Sequence, residues 1–234
     1  MDKHNPPRVA LLGATRGLGW ALARHLSGLS GAQGSQSSQV DPVASLLVVG
    51  RKAPPADLPK AAFVSLDLAS VQQVEEVLFP SLAQFNPHKI FYIAGGGPFG
   101  TFEKKQWKDH LWAYQLNLLT PARLLHWAFQ AQGKTELRQV VFVGSAIAED
   151  QGEREGASYA SAKHGLKGLV RSLQREDLDV RLFSPGYMDT QMLPPNAWPR
   201  QQGLSILSPE DVALELWTWS QGLAKLTTFS GPKP

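Results

Sequence analysis

The chain has 234 residues, 43% of them hydrophobic, no cysteine, and a net charge of +3 from 23 Lys and Arg against 20 Asp and Glu. That is enough apolar material for one full core, read as a single domain over 1–234, and the lack of cysteine excludes a disulfide framework, thiolate catalysis and the usual thiolate metal ligands. The cations are scattered rather than drawn into a stripe, and no apolar run reaches the roughly eighteen residues of a membrane span, so the expectation is a cytoplasmic protein without a nucleic-acid or membrane partner.

Val9-Ala-Leu-Leu12 is a short apolar run that ends in glycine. The stretch Leu18 to Leu26 then repeats its apolar residues at a helical period, giving strand, turn, helix. Residues 30–45 are rich in Gly, Ser and Gln and predict a flexible surface loop before a second strand, Leu46 to Val49. Ala62 to Leu66 predicts a third strand, Val71 to Leu82 a helix, and Lys89 to Ala94 a fourth strand. Glu103 to Gln132 predicts a long helical region, Gln139 to Gly144 a fifth strand, Ala157 to Glu176 a helix, and Val180 to Ser184 a sixth strand. Ser208-Pro209-Glu210-Asp211 carries a capping hydroxyl, a proline at the first helical position and acids in the first turn, so a helix starts there and runs to about Gln221. Thr227 to Gly231 leaves room for one short edge strand. This alternation argues for an α/β fold with a parallel sheet covered on both faces.

Three features carry chemistry. Gly13-Ala-Thr-Arg-Gly17-Leu-Gly19 lies between a strand and a helix, where backbone N–H groups and the helix dipole can meet a pyrophosphate; the plainer reading is an ordinary turn. Tyr159 and Lys163 stand four apart on one helix face, so the ammonium favours the phenolate, although such a pair arises by chance in roughly one sequence in five of this composition. Pro121 has no N–H for the carbonyl of Asn117 four residues earlier. That carbonyl is then open to a water carrying protons from Lys163; otherwise the proline only kinks the helix or divides it. His4, His25, His88, His110, His126 and His164 show no metal-ligand spacing, and no metal is expected.

The G-x-x-x-G-x-G turn, Asn117, Ser145, Tyr159 and Lys163, in this order, resemble the short-chain dehydrogenase/reductase family along nearly the whole chain. The resemblance implies a Rossmann-like, doubly wound parallel sheet of six to seven strands and a nicotinamide-dependent oxidoreductase acting on a small-molecule carbonyl or alcohol. It makes Tyr159 the general acid or base, has Lys163 lower the pKa of the tyrosine and hold the ribose, has Ser145 orient the substrate carbonyl, and gives Asn117 a water relay. It also implies that Gly13, Thr15, Arg16, Gly17, Leu18 and Gly19 face the cofactor, with Asp67 and Leu68 at the adenine edge. Ala94 and Gly95 would flank the adenosine ribose, and Pro185, Gly186, Met188 and Thr190 would border the nicotinamide. The second strand ends Val49-Gly50-Arg51 without an acid, and Arg16 is a second cation, so charge predicts NADP(H) over NAD(H).

The chain departs from the family at Leu12, where threonine is usual, and at Ile93-Ala-Gly-Gly-Gly97, which replaces an asparagine-containing stretch. Its final strand and tail are reduced, which leaves one subunit interface and one pocket wall open. Residues 187–207, with Tyr187, Met188, Met192, Leu193 and Trp198, read as a substrate lid for a hydrophobic or aromatic ketone, aldehyde or dicarbonyl, or else as ordinary core. Pro185-Gly-Tyr-Met-Asp189-Thr190 bears a narrower likeness to sepiapterin and benzil reductases. Trp107, Leu111, Trp112, Leu116, Leu119, Leu124, Leu125 and Trp127 spread around the long helix, and Ala157, Ala160, Ala162, Gly165 and Gly168 make the next helix slim. Together they predict a homodimer or homotetramer, or burial within one subunit. The rival class is a non-catalytic NADP(H)-binding redox sensor. A sugar-nucleotide epimerase or dehydratase would need more chain for its substrate domain.

Overall fold

Strand side chains alternate between two apolar layers, which is why the inner strands read as continuous hydrophobic runs. In the computed structural model, which describes residues 6–29, 43–146, 148, 155–174 and 178–229, the strands are β1 (Arg8–Leu12), β2 (Ser45–Gly50), β3 (Ala61–Ser65), β4 (Lys89–Tyr92), β5 (Gln139–Val143), β6 (Asp179–Pro185) and β7 (Leu226–Phe229). They form one sheet in the order β3-β2-β1-β4-β5-β6-β7, with every pairing parallel. Ala10, Leu12, Leu47, Val49, Ile90, Val140 and Leu182 face one layer; Val9, Leu11, Leu46, Val48, Phe91, Val141 and Phe183 face the other.

The short α2 (Val71–Gln73) leads into the helices that close the first layer, α3 (Phe79–Phe85), α4 (Trp107–Tyr114), α5 (Thr120–Gln130) and α6 (Ala157–Leu173), through residues such as Leu82, Leu124 and Leu166. The second is closed by α1 (Gly17–Leu26) and α8 (Pro209–Gln221), through Leu22, Val212 and Leu216. A four-residue helix, α7 (Trp198–Gln201), lies between β6 and α8. Ser208 caps α8 as its sequence predicts, accepting hydrogen bonds from the N–H groups of Glu210 and Asp211.

Some boundaries differ from expectation, and others fall outside the described residues. Ser45 belongs to β2, and residues 30–42 of the expected loop lie outside the described residues. The long helical region does not start at Glu103: a 3-10 turn at Phe102–Lys104 ends in extended Lys105, and α4 starts at Trp107. The ends of the expected α6 (residues 175–176) and of the last strand (230–231) also fall outside the described residues.

Two helices pass through a π turn, Val74–Leu78 between α2 and α3 and Gln115–Leu119 between α4 and α5. In each, the residue after the turn bonds back five residues, Phe79 N–H to the Val74 carbonyl and Thr120 N–H to the Gln115 carbonyl. Each is followed by a proline, Pro80 or Pro121, which has no N–H to continue an ordinary ladder. The helix therefore neither breaks nor merely kinks at Asn117; it widens. Among the described residues no helix is long and apolar enough to cross a membrane, and no His, Asp and Glu cluster could hold a metal ion.

Candidate active site

All seven strands run the same way, so the carboxyl ends of β1, β4, β5 and β6 open on one edge, with the order reversing between β1 and β4. Gly13 leaves β1 with φ +92, and a β-carbon there would stand 2.6 Å from the backbone of Ala94. Only glycine permits both the backbone angle and the approach. The turn is fixed to β2 by the Gly13 N–H bond to the Val49 carbonyl, 2.8 Å. Thr15 packs on Gly50, where a β-carbon would lie 2.7 Å from its methyl group, so Arg16 and Arg51 each stand one residue beyond that contact; both are exposed. Arg16 also donates to the Gln191 side chain, 3.4 Å, and Gly17 lies against Thr190. Leu18 and Gly19 are buried in the first turn of α1. That helix has no side-chain cap and no acid in its first turn, leaving its N-terminal N–H groups for an anion.

Asp67 sits past β3 with its carboxylate accepting from the Ala69 N–H, 2.9 Å, in an Asx turn. Leu68 turns its side chain into the core and accepts the Thr120 hydroxyl on its carbonyl, 2.7 Å. Pro185 ends β6, and Gly186 donates to Phe229 of β7. The segment that follows is tied at its base: Met188 pairs with Leu207, and Leu207 N–H bonds the Tyr187 carbonyl at 2.8 Å. Arg200 braces it through Asp189 and the Leu193 carbonyl. Met192 is 38% and Trp198 60% exposed, so these two are not core.

Lys163, 2% exposed, gives its ammonium to the Val143 carbonyl at 2.7 Å, two residues before Ser145. Its Nζ is 5.6 Å from the ring centre of Tyr159, which is half-buried at the third position of α6. Asn117, fully buried, gives Nδ2 to the carbonyls of Gly96 (2.6 Å) and Ala113 (2.7 Å) and takes the Gly96 N–H on Oδ1. A β-carbon at Gly95 would lie 3.2 Å from that oxygen and 3.5 Å from Lys163 Nζ, so both groups meet at one point of the β4 loop. Ser145 is buried just past β5, its hydroxyl accepting from the Ala148 N–H.

The expectation for Asn117 put its use in the backbone carbonyl; the structure adds a tie through the side chain, which holds the glycine loop. Tyr92, kept protonated by burial that pushes its pKa well up, donates to the Leu116 carbonyl inside the π turn at 2.7 Å. Sequence reasoning missed Tyr92, Thr120 and the use of the glycine run: Gly96 lies under Trp112 and Gly97 under Tyr159, with 2.7 and 2.8 Å left for any β-carbon. The run itself was the available signal. The slim helix divides its roles: Ala160 and Ala162 are buried and Gly165 packs under Leu118 within the chain, while Ala157 and Gly168 are exposed.

The short chain dehydrogenase family matches residues 8–199. The 3-oxoacyl-(acyl-carrier-protein) reductase FabG of Pseudomonas aeruginosa is 27% identical over 192 residues, 79% of this chain and 75% of that protein. The reductase of the same name from Escherichia coli is 26% identical over 197 residues, 79% of this chain and 75% of the relative. Among solved structures, a 4-hydroxyisoleucine dehydrogenase complexed with NADH superposes with a TM-score of 0.78 at 17% identity, over 96% of this chain and 97% of that one. BdcA in complex with NADPH superposes with a TM-score of 0.73 at 20% identity, over 98% and 95%. These relatives are 3-oxoacyl reductases rather than the sepiapterin and benzil reductases of the narrower likeness.

Proposed function

The chain belongs to the short chain dehydrogenase family of nicotinamide-dependent oxidoreductases, and we propose that it is an NADP(H)-dependent carbonyl reductase with Tyr159 as its proton donor. The observation that carries the reading is the convergence of Lys163 Nζ on the Tyr159 ring at 5.6 Å, on the Val143 carbonyl at 2.7 Å and on Gly95 beside Asn117. A buried ammonium next to a phenol stabilises the phenolate left when the proton departs. Ser145 holds the substrate oxygen, and Asn117 keeps the β4 loop in register beneath Lys163 while the π turn leaves its carbonyl for the proton-relaying water. When bound, the nicotinamide supplies the hydride to the carbonyl carbon, and the Tyr159 proton completes the alcohol.

The cleft fits such a cofactor: the uncapped start of α1 and the Gly13 turn against Ala94 suit a pyrophosphate. Arg16 and Arg51 flank the Thr15–Gly50 contact with no acid at the end of β2, which supports a 2′-phosphate and hence NADP(H) over NAD(H). Asp67, Leu68, Ala94 and Gly95 would line the adenosine half, and Pro185, Gly186, Met188 and Thr190 the nicotinamide half. Residues 187–207 would close over the substrate, and exposed Met192 and Trp198 suit a hydrophobic or aromatic ketone, aldehyde or dicarbonyl. Trp107, Leu111 and Leu119 are 61%, 50% and 48% exposed along α4 and the π turn, and Gly168 of α6 is bare, which supports a homodimer through these helices.

The test is NADPH consumption by purified protein against aromatic aldehydes, 1-phenyl-1,2-propanedione and an acetoacetyl thioester, with NADH in parallel. Tyr159→Phe is expected to lower turnover by about a hundredfold to ten-thousandfold with NADPH binding kept. Turnover that survives this substitution overturns the assignment. NADPH binding with no turnover of any probe supports the redox sensor instead.

A further inference from the structure

Tyr159 sits in the first turn of α6, a helix start that has neither a side-chain cap nor an acid in its first turn. Its N-cap is Gly156. The α8 start, by contrast, has the Ser208 hydroxyl on two N–H groups and two acids behind it. A helix end without a cap frays. A proton donor there needs an anchor from elsewhere, since an error of about 1 Å in a reacting group can cost about a hundredfold in rate.

The anchor comes from α4. His110, 3% exposed, is stacked on the Phe102 ring at 4.2 Å and flanked by Trp107 at 5.9 Å. Its Nε2 lies 3.0 Å from the Phe102 carbonyl and its Nδ1 2.5 Å from the hydroxyl of Ser158, the residue before Tyr159. A carbonyl only accepts, so Nε2 carries the hydrogen, and in that tautomer Nδ1 is the acceptor for the Ser158 O–H. Ser158 is 1% exposed. Two further contacts draw the same loop onto the same turn: Gly100 N–H bonds the Glu155 carbonyl at 2.8 Å, and Gly97 lies under the Tyr159 β-carbon. His110 is a buried, doubly bonded imidazole to which the proposed reaction otherwise gives no task.

We propose that His110 is a positioning residue for Tyr159, acting through Ser158 to pin the first turn of α6 to the loop after β4. This rests on the reading of Tyr159 as the proton donor. Ser158→Ala and His110→Phe, which keeps the stacked ring, remove the bond from either side. Each is expected to lower kcat about tenfold on 1-phenyl-1,2-propanedione or acetoacetyl thioester, whichever the parent turns over faster, with the KM for that probe within about threefold and the NADPH Kd within about twofold. The double variant is expected to be no slower than either single one, since both remove one interaction. His110→Asn places an acceptor where Nδ1 stood and is expected to bring kcat back to within about threefold of the parent.

Amide hydrogen exchange supplies a readout independent of substrate. The Ala160 N–H closes the first turn on the Gly156 carbonyl at 2.8 Å, and exchange at residues 160–163 is expected to quicken about tenfold in His110→Phe and Ser158→Ala while 167–172 stay unchanged. A kcat within twofold of the parent, additive losses, an Asn variant no better than the Phe variant, or unchanged exchange at 160–163 each overturns the proposal. Turnover that survives Tyr159→Phe overturns the proton-donor reading itself; the exchange rates then decide alone whether His110 pins the turn.

Discussion

The two π turns of this chain are built alike and used differently. In both, a proline stands six residues after the first residue of the turn, Val74 to Pro80 and Gln115 to Pro121, and in both the closing bond spans five residues. The carbonyl denied its usual donor is that of Glu76 in the first and of Asn117 in the second. Glu76 is exposed and its side chain accepts from Gln72, one turn away on its own helix. Asn117 is fully buried, its side chain ties the β4 loop, and the carbonyl before it takes the Tyr92 hydroxyl. In both turns the proline frees one carbonyl from its usual donor. Its function is set by which helix face is packed against the sheet's carboxyl edge.

Substitutions at paired positions test that distinction. Asn117→Ala leaves the buried Gly96 N–H and carbonyl without partners and is expected to lower kcat about a hundredfold and stability by about 2 kcal/mol, read by steady-state kinetics and urea unfolding. Glu76→Ala is expected to leave kcat unchanged and stability within about 0.5 kcal/mol. Equal effects at the two positions would erase the contrast. Pro121→Ala restores an N–H facing the Asn117 carbonyl and is expected to slow kcat about fivefold to tenfold as the π turn relaxes. Pro80→Ala is expected to stabilise the protein by about 1 kcal/mol with kcat intact, because proline is the poorest residue in a helix interior and nothing at the cleft depends on it. Tyr92→Phe removes only the hydroxyl bond to Leu116 and is expected to cost about 1 kcal/mol in urea unfolding.

These tests address what was hardest to read in the sequence. Strands such as Leu46 to Val49 and Gln139 to Val143 were legible because burial on both faces leaves an apolar run, and the α8 start was legible because Ser208-Pro209-Glu210-Asp211 is a local signal. Asn117, Tyr159 and Lys163, singled out in the sequence, come together at the loop after β4. Pro121 announced a disturbance, but a kink, a break and a π turn leave the same local pattern, and packing against Tyr92 and Gly96 decides among them. The three glycines after β4 read as a departure from the family; their purpose is visible only when Asn117, Trp112 and Tyr159 arrive from other elements. His110 gave no sequence signal, since its partners are a serine hydroxyl and a backbone carbonyl rather than a ligand set.

A pH-dependent effect sharpens the contrast from the opposite edge of the sheet. Lys89, 4% exposed, donates to the Gln221 side chain and lies over the Trp217 ring. Burial, reinforced by Arg181 and opposed by Asp179, lowers its pKa to about 8. A cation whose pKa falls on folding is protonated more fully in the unfolded chain, so between its folded and unfolded values the unfolded state binds the extra proton and stability rises with pH. The contribution is expected to grow by about 1 kcal/mol from pH 8 to pH 9, read as the urea midpoint of the parent against Lys89→Met at each pH. Lys89→Met is expected to leave kcat at its parent value throughout. A stability difference between the two that stays flat over this window would show that Lys89 keeps an ordinary pKa, whereas a change in kcat would mean that buried polar groups are coupled across the sheet, and the assignment of Asn117 to rate and of Lys89 to stability would fail.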